Sequence, residues 1–361
     1  MMDHRGRIET VRKHIQEQDA DAAVFSGGPA AQYFSGFQMY SDGTSAAWYP
    51  LVVIPAEDAA RLIVGGLDSE AAAEQSTIDH VVPDNGFSDA VKDMLDEGAT
   101  VLLEDSISAG LYSRLSDGLQ PEFDEAVGDV RAVKEEAEVE RITAAAEVTE
   151  TVLGDIIDSI DADSTENSIA GDIERGMRRA GGRSGFPAIV AAGQRSAHPH
   201  HAPRDTAVGE GPLLFDVGAR MDGYVADVAR TVHLGEPSDR FREVYEAVRG
   251  AQDAAEAELA DGAAAADVDA AARDVLEDHG FPDGYPHAVG HGVGLSVHEP
   301  PKLSGASDAE LAAGNVVTLE PGVYIPDAFG VRIEDVYVVR EDGADRLTTS
   351  SRRLEEHIIE V

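Results

Sequence analysis

Residues 211–234 read GPLLFDVGARMDGYVADVARTVHL, two apolar runs separated by a short turn that contains glycine. Apolar runs of this length, bounded by turn residues, predict two strands that pair as a hairpin. An aspartate interrupts each run, Asp216 in the first and Asp227 in the second. Burying an unpaired charge in a strand is costly, so both aspartates are candidates for a functional site.

Two glutamates interrupt apolar runs nearer the C-terminus in the same way. Glu320 lies within NVVTLEPGVYI and Glu334 within GVRIEDVYVVR, and each run is predicted to form one strand. By strand alternation, Arg332 shares a face with Glu334. Charges on edge strands that face water would explain one such residue, but they explain four together poorly.

The wider pattern of helices and strands predicts two domains. Residues 1–132 alternate helical and strand patterns, including the predicted strand WYPLVVIP at 48–55, which indicates a smaller α/β domain. Residues 133–361 combine long helices with hairpin-like strands, which indicates an α+β domain with an antiparallel sheet. The candidate helices of this second domain span residues 133–160, 164–181, 238–260 and 267–280.

The composition is strongly acidic. The chain has 361 residues with 28 basic and 69 acidic side chains, a formal net charge of −41. The hydrophobic content of 43% and the recurring apolar runs argue against a disordered chain. Without a basic stripe, the composition predicts no nucleic-acid partner. The lysines are Lys13, Lys92, Lys134 and Lys302, and so lysine-poor and acidic a surface predicts adaptation to concentrated salt.

Two absences in the sequence narrow the location and the chemistry. No apolar run approaches the roughly 18 residues of a membrane span, and the N-terminal segment lacks the apolar core of a signal peptide. We therefore predict a cytoplasmic protein with no membrane partner. The chain contains no cysteine, so any metal ion must be held by Asp, Glu and His.

Histidines concentrate in two short stretches, SAHPHHAP and YPHAVGHGVGLSVHEP, which hold six of the 12 in the chain. The glycines of the second stretch do not have GxGxxG spacing, so a phosphate-binding loop is disfavoured. Four carboxylates with one imidazole form a hard ligand set that suits two divalent ions, with Mn²⁺, Co²⁺, Zn²⁺ and Fe²⁺ all compatible. Two ions ~3.5–4 Å apart can share a bridging water and lower its pKa, which indicates hydrolysis.

The carboxylates and one histidine occur in an order that resembles the ligand set of the pita-bread metallopeptidases, the family of prolidase, aminopeptidase P, methionine aminopeptidase and creatinase. The positions are Asp216, Asp227, His291, Glu320 and Glu334. The strings FDVGARMDGYVADVARTV, GHGVGLSVHE, LEPGVYI and GVRIEDVYVV are similar to those of the family as well. The resemblance implies a pita-bread catalytic domain over 133–361, and the segment AAQYFSGF implies a creatinase-type N-terminal domain over 1–132.

The resemblance implies a role for each ligand. Asp216 chelates one metal ion, Asp227 and Glu334 bridge both, and His291 and Glu320 complete the shell of the other. The ions implied are Mn²⁺ or Co²⁺, with Zn²⁺ and Fe²⁺ as alternatives. Glu320 also shuttles the proton of the hydroxide that bridges the metal ions.

Further residues are implied around the ligands. His298 stabilises the tetrahedral intermediate, and His200 contacts the scissile amide, although the neighbouring His198 and His201 leave that register open. His287 lines the substrate pocket. Arg332 either holds a metal carboxylate or meets the substrate, and the sequence leaves both roles open.

The activity implied is that of a metallopeptidase that cleaves the Xaa-Pro bond of dipeptides or short peptides. Aminopeptidase action on longer peptides and creatinase-like hydrolysis of a small solute are the alternatives. Methionine aminopeptidase is disfavoured because it resembles the second domain alone. A non-catalytic binding protein is disfavoured because all five ligands are present. The family also implies a homodimer.

Overall fold

The computed structural model describes residues 2–39, 50–84 and 88–360. The chain forms two compact units that divide between Arg131 and Ala132. Trp48 and Tyr49, at the start of the predicted strand WYPLVVIP, lie outside the described residues.

The first unit is built on one mixed sheet. Its elements are α1 (His4–Glu17), β1 (Ala22–Ser26), α2 (Gly28–Ser35), β2 (Leu51–Pro55), β3 (Arg61–Val64), α3 (Ser69–Gln75), β4 (His80–Pro83), α4 (Ser88–Lys92), β5 (Thr100–Leu103), α5 (Ala109–Leu115), β6 (Gln120–Phe123) and α6 (Glu125–Gly128). The strand order is β4-β3-β2-β1-β5-β6, with β1 parallel to β5 and antiparallel to β2. Apolar residues of these strands, such as Val24 and Leu103, pack with Leu111 of α5 in the core. This arrangement confirms the predicted α/β character.

The second unit contains long helices and several antiparallel sheets. Its elements are α7 (Glu136–Ile157), α8 (Glu166–Arg179), β7 (Arg183–Ser184), β8 (Ile189–Ala192), β9 (Gly211–Val217), β10 (Ala219–Met221), β11 (Tyr224–Val225), β12 (Val228–Leu234), α9 (Asp239–Ala257), α10 (Ala265–Asp278), β13 (Gly290–Gly292), β14 (Glu299–Leu303), β15 (Val316–Leu319), β16 (Gly322–Ile325), β17 (Phe329–Arg332), β18 (Asp335–Arg340), β19 (Gly343–Arg346) and β20 (Ile358–Ile359). The four predicted helices are confirmed: α7, α8 and α9 are somewhat shorter than predicted, and α10 begins and ends two residues earlier. Thr165 and Ser238 cap α8 and α9 by accepting backbone N–H groups of the first turn.

Each pair of helices covers its own sheet in the second unit. Helices α7 and α8 pack on the sheet β20-β12-β9-β8, where Leu153, Ile173 and Phe215 share one apolar core. Helices α9 and α10 pack on the sheet β14-β13-β15-β18-β19, where Val248 and Leu319 belong to a second core. Burial of these apolar faces stabilises both layers at roughly 25 cal/mol per Å² removed from water.

The prediction of one continuous strand was wrong for three apolar runs, because each forms two separate strands. The first is broken between β11 and β12, the second between β15 and β16, and the third between β17 and β18. At each break the chain passes from one sheet to another: β17 pairs with β16, whereas β18 pairs with β15 and β19. Asp227, Glu320 and Glu334 lie at these breaks. A carboxylate at such a junction lies where two sheets meet, which the alternation of a continuous strand does not predict.

In the described part of the chain, every helix is too short or too polar to be a candidate for crossing a membrane.

Candidate metal centre

The hairpin of residues 211–234 places the first two aspartates. Asp222 and Gly223 both have positive φ, 47° and 89°, as a tight two-residue hairpin turn requires. Strand β12 then returns antiparallel to β9, with Ala229 opposite Asp216. Asp227 precedes β12 by one residue, so the two aspartates are near each other in space although 11 positions apart in sequence.

His291 lies at the centre of the short strand β13, between two glycines that allow other strands to approach closely. A Cβ atom on Gly290 would lie 1.9 Å from the carbonyl oxygen of Thr318, and one on Gly292 would lie 2.2 Å from that of Pro300. Both distances are far shorter than a real contact, so side chains at these positions would push β13 away from its neighbours. The glycines that the sequence shows around His291 therefore serve strand packing.

Side chains from separate parts of the second unit meet at the candidate metal centre. Potential ligand atoms of Asp227, His291 and Glu334 all lie within 4.8 Å of one another. The Nε2 atom of His291 lies 3.8 Å from Oδ2 of Asp227 and 3.6 Å from Oε1 of Glu320. The structure thus brings three of the four predicted carboxylate ligands around the imidazole of His291, and the fourth, Asp216 on β9, lies beside Asp227.

The protonation of His291 suits metal binding. Its Nδ1 atom lies 3.1 Å from the carbonyl oxygen of Gly292, which only accepts, so Nδ1 carries the proton and Nε2 keeps its lone pair. Burial, together with the charge of His298, lowers the pKa of His291 to about 4. The ring is therefore neutral near pH 7, the form in which histidine ligates metals.

The carboxylates of the centre lack the partners that buried charges require. Within the described residues, Oδ1 of Asp216, Oδ1 of Asp227 and both carboxylate oxygens of Glu334 are buried without a hydrogen-bond partner. Burial, and then the charges of Asp216 and Glu320, raise the pKa of Asp227 well above its ordinary value. Burial and the charges of Asp227 and Glu320 do the same to the pKa of Glu334. Orphaned oxygens that repel one another fit a divalent cation, which satisfies and neutralises them together.

Asp216 is held from outside the centre by a fully buried arginine. Arg332 donates a hydrogen bond to Oδ2 of Asp216, and its other terminal nitrogen donates to the hydroxyl of Tyr324 at 3.0 Å. The same guanidinium lies 3.4 Å from the carbonyl oxygen of Pro199. Of the two roles left open for Arg332, the geometry supports holding a carboxylate of the centre.

His287 and His298 flank the centre on its accessible side. The Nε2 atom of His287 lies 3.1 Å from the hydroxyl of Tyr324, and its Nδ1 lies 3.8 Å from Oε2 of Glu320. The ring of His298 lies 4.3 Å from that of His291, edge to face. Burial lowers the pKa of His287 to about 4. Both rings therefore lie next to predicted ligands, His287 beside Glu320 and His298 beside His291.

The three histidines after β8 have different surroundings. His198 and His200 are exposed, whereas His201 is buried against Glu166, with Nε2 2.9 Å from Oε2. The charge of His200 lowers the pKa of both His287 and His298, after the larger effect of burial, so His200 is near those rings. This placement favours His200 over His201 as the histidine that faces the site.

Tyr324 is a residue of the site that the sequence reasoning did not select. Its hydroxyl bridges Arg332 and His287, and burial raises its pKa to about 12, so it remains protonated. It lies in the quoted string LEPGVYI, four positions after Glu320. Its place in that string was the available signal, because Glu320 lies at the break between β15 and β16 and the alternation of a continuous strand does not relate the two residues.

Comparison with known proteins gives consistent matches over the whole chain. The sequence profile of metallopeptidase family M24 matches residues 140–341, and that of the creatinase/prolidase N-terminal domain matches residues 7–137. A Xaa-Pro dipeptidase of Pyrococcus furiosus is 32% identical over 354 residues, covering 96% of this chain and 99% of that protein.

Solved structures give the same result. A prolidase from Thermococcus sibiricus superposes with a TM-score of 0.90 at 30% identity, covering 100% of both chains. An X-Pro aminopeptidase from Thermotoga maritima superposes with a TM-score of 0.87 at 32% identity, covering 98% of this chain and 99% of the other. The predicted two-domain architecture, a creatinase-type domain followed by a pita-bread domain, is thereby confirmed.

Proposed function

Because this chain belongs to metallopeptidase family M24 and carries the creatinase/prolidase N-terminal domain, we propose that it hydrolyses the Xaa-Pro bond of dipeptides. The observation that carries the proposal is the cluster of Asp227, His291 and Glu334 with its unpartnered carboxylate oxygens. Similarity along nearly the full length to a Xaa-Pro dipeptidase supports the substrate class.

Membership of the family implies divalent metal ions, and we propose that two are held in each chain. The proposed ligands are Asp216, Asp227, His291, Glu320 and Glu334. Bound there, the ions would lower the pKa of a water molecule and polarise the scissile carbonyl. The oxygen-rich donor set supports Mn²⁺ or Co²⁺, with Zn²⁺ and Fe²⁺ also compatible.

Glu320 is proposed to move the proton. Burial, opposed by Arg332 and reinforced by Asp216, raises the pKa of Glu320 to about 8, and its side chain remains 16% exposed. In the metal-free protein this acid is largely protonated at neutral pH, whereas bound divalent ions would favour its carboxylate form, which can take a proton from the attacking water and return it to the departing proline nitrogen. The proton balance is then closed by one residue.

The remaining residues bind and orient the substrate in this proposal. His200 contacts the scissile amide, and His298 donates to the oxygen that gains charge as the carbonyl becomes tetrahedral. His287 lines the pocket, and Arg332 holds Asp216. Their positions around the centre support these assignments.

Aminopeptidase action on longer Xaa-Pro peptides is a second candidate. The similarity to an X-Pro aminopeptidase of known structure favours it, because that chain also superposes over nearly its full length. The residues that contact the scissile bond are the same in both proposals, so substrate length must be measured.

Several predictions from the sequence accompany the proposal. We propose a domain division at residues 132/133, supported by the separation of two compact units next to that position. The homodimer, the cytoplasmic location and the adaptation to concentrated salt remain predictions.

The first test is hydrolysis of a Xaa-Pro dipeptide and a Xaa-Pro tripeptide in high salt, with Mn²⁺, with Co²⁺ and with a chelator. Metal-dependent cleavage of the dipeptide supports the proposal, and cleavage of the tripeptide alone supports the aminopeptidase. Failure on both with metal bound directs the search to amides of small solutes. Hydrolysis that is unchanged in Glu320→Gln would contradict the proposed proton transfer.

A further inference from the structure

Glu166 is a completely buried carboxylate outside the metal centre. It is the first residue of α8, directly after the capping residue Thr165. Burial of a charge is unfavourable unless hydrogen bonds replace the lost water, so a fully buried glutamate on a helix end requires an explanation.

Four donors surround this carboxylate, and all come from one segment of chain. Its Oε1 accepts from the backbone N–H of Ala192 at 2.8 Å and from Nε of Arg195 at 2.7 Å. Its Oε2 accepts from Nε2 of His201 at 2.9 Å and from the backbone N–H of Arg204 at 3.0 Å. Although burial acts to raise the pKa of Glu166, these donors lower it below its ordinary value, so the group is ionised.

The segment bound by Glu166, residues 192–204, carries His200. We call it the His200 loop. The first turn of α8 holds its outgoing end as well, because the N–H of Asn167 donates to the carbonyl oxygen of Arg204 at 3.0 Å. Its incoming end is the last residue of β8. Both ends of the loop are therefore attached to the start of one helix.

The opposite side of the His200 loop docks on β17. The hydroxyl of Ser196 accepts from the N–H of Gly330 at 2.9 Å, and a Cβ atom on Gly330 would lie 2.1 Å from the carbonyl oxygen of Ser196. Strand β17 ends at Arg332, which reaches the carbonyl oxygen of Pro199. The loop is thus held between α8 and the strand that contacts Asp216, with His200 exposed at its tip.

We propose that Glu166 is a positioning residue that fixes the His200 loop and thereby places His200 against the substrate. That Glu166 fixes the loop is independent of the reaction, whereas the placement of His200 against the substrate rests on the proposed function. Glu166 touches neither substrate nor metal ligand in this proposal. Its effect passes through hydrogen bonds to the loop, and His201 is an anchor rather than a second catalytic histidine.

A carboxylate is needed because each of its oxygens accepts two hydrogen bonds. Glu166→Ala removes the acceptor of two backbone N–H groups and two side chains, and of these donors the N–H of Ala192 and the ring of His201 are buried, where water cannot replace the lost acceptor. Glu166→Gln keeps one acceptor oxygen but turns an NH₂ group toward donors. Alanine should therefore release the loop more completely than glutamine. A displacement of about 1 Å in a positioned group can lower the rate ~10²-fold.

The loop is tested without reference to the reaction, by hydrogen exchange of the metal-loaded full chain. In Glu166→Ala, exchange in peptides that span 192–204 should accelerate, while exchange in peptides that span 216–227 stays unchanged. The matched control is Glu256→Gln. Glu256 lies on α9 and accepts hydrogen bonds from Tyr337 and Arg352, so its substitution should leave the exchange of 192–204 unchanged. Unchanged exchange of 192–204 in Glu166→Ala would overturn the proposal.

The effect on the reaction is tested by a double-mutant cycle with His200→Ala. Alone, Glu166→Ala should lower kcat/KM for a Xaa-Pro dipeptide about 100-fold with metal content unchanged, and Glu166→Gln should lower it less. In the His200→Ala background, Glu166→Ala should lower kcat/KM less than about 3-fold, because the shared effect is already lost.

The outcomes separate the two proposals. Losses that multiply in the double variant would show that Glu166 acts on stability or on the metal centre, and would overturn the positioning role. If the wild-type chain cleaves no Xaa-Pro substrate while the exchange results are as expected, the proposed function fails and the anchoring of the loop stands. If wild-type cleavage is normal and exchange is unaffected, the anchoring fails alone.

Discussion

Glu334 and Asp335 are neighbours in sequence, both are acidic and both are buried, with 1% and 0% of their surface exposed. Their surroundings are nevertheless opposite. Among the described residues, neither carboxylate oxygen of Glu334 has a hydrogen-bond partner. Asp335 accepts from Arg230 and from the hydroxyl of Thr348, each at 2.6 Å, and from Gln252 at 3.1 Å.

The pKa values of the two carboxyl groups are shifted in opposite directions because only Asp335 has positive charge and hydrogen-bond donors beside it. Burial and neighbouring acids raise the pKa of Glu334 well above its ordinary value. Burial acts in the same direction on Asp335, but the charge of Arg230 and the hydrogen bonds from Thr348 and Arg230 lower its pKa. Burial alone therefore does not define a site. A buried acid with a full set of donors holds the fold together, whereas a buried acid left without donors is available for a cation.

Glu334 and Asp335 also share a hydrogen-bond donor. Arg230 donates to Asp335 and, at 2.6 Å, to the backbone carbonyl oxygen of Glu334. Asp335 thus orients Arg230, and Arg230 holds the backbone of Glu334. Substitutions at the two positions should consequently produce different kinds of loss.

The largest difference is expected in activity. Glu334→Gln should lower kcat/KM for a Xaa-Pro dipeptide by roughly 10³-fold or more, the scale seen when a group that acts as part of a catalytic unit is removed. It should also reduce bound metal, measured by elemental analysis after dialysis. The folding of the metal-free protein should be nearly unaffected, because among the described residues the carboxylate of Glu334 accepts no hydrogen bond that glutamine would lose. Full metal content and activity in this variant would remove Glu334 from the centre.

The free energy of unfolding should depend on Asp335 more than on Glu334. Asp335→Asn leaves Arg230 buried without its charge partner, which should lower the free energy of unfolding by about 3–5 kcal/mol. Urea denaturation of the metal-free protein measures this directly, with Glu334→Gln as the matched variant. A loss of similar size in both variants would contradict the distinction between the two acids.

Metal binding should stabilise the wild-type protein. At a free Mn²⁺ concentration 100 times the Kd, the gain in unfolding free energy is about 2.7 kcal/mol. Thermal melts across a Mn²⁺ titration should show this gain in Asp335→Asn, from a lower starting Tm, and a reduced gain in Glu334→Gln. A Tm that is insensitive to Mn²⁺ in the wild type would contradict the proposed ligands.

The pH dependence of stability should have opposite signs for the two kinds of acid. A raised carboxyl pKa means that the folded protein binds more protons than the unfolded chain, so stability falls as pH rises through that range. For Glu320 the range runs from about 4.5 to about 8 in the metal-free protein. The lowered pKa of Asp335 contributes stability above about 3.8 that is lost as pH falls further. Denaturation midpoints from about pH 3 to 8, without metal and with Mn²⁺, check both signs, and a flat metal-free profile would count against them.

The smallest effect concerns salt. With a net charge of −41, repulsion among exposed carboxylates should lower Tm in dilute buffer, and added salt should restore it until the Debye length is about 3 Å near 1 M. The loss caused by Asp335→Asn should be similar at both salt concentrations, because buried pairs are screened little. Equal Tm values in 0.1 M and 2 M salt would contradict the predicted salt adaptation.

Much of the fold could be predicted from local patterns. The helical periodicity of 238–260 corresponds to α9, and the MDG turn forms the hairpin between β10 and β11. Continuity of the strands was predicted wrongly at Asp227, Glu320 and Glu334. Apolar runs on both sides of each acid look alike in sequence, and the change of sheet partner depends on residues far along the chain.

The sequence by itself determined which residues are candidates for the site: acids that interrupt apolar runs, and histidines in stretches such as the glycine-rich one around His291. The absence of cysteine left only Asp, Glu and His as metal ligands. These residues indicated a dinuclear metal site suited to hydrolysis, and their resemblance in order and local sequence to a known family implied a metallopeptidase. The tertiary structure alone decided which buried acids are satisfied. Arg230 reaches Asp335 across 105 positions, and His201 reaches Glu166 across 35. Nothing local distinguishes Glu334 from Asp335, because the partners that separate a structural carboxylate from a metal ligand are brought in by packing of distant elements.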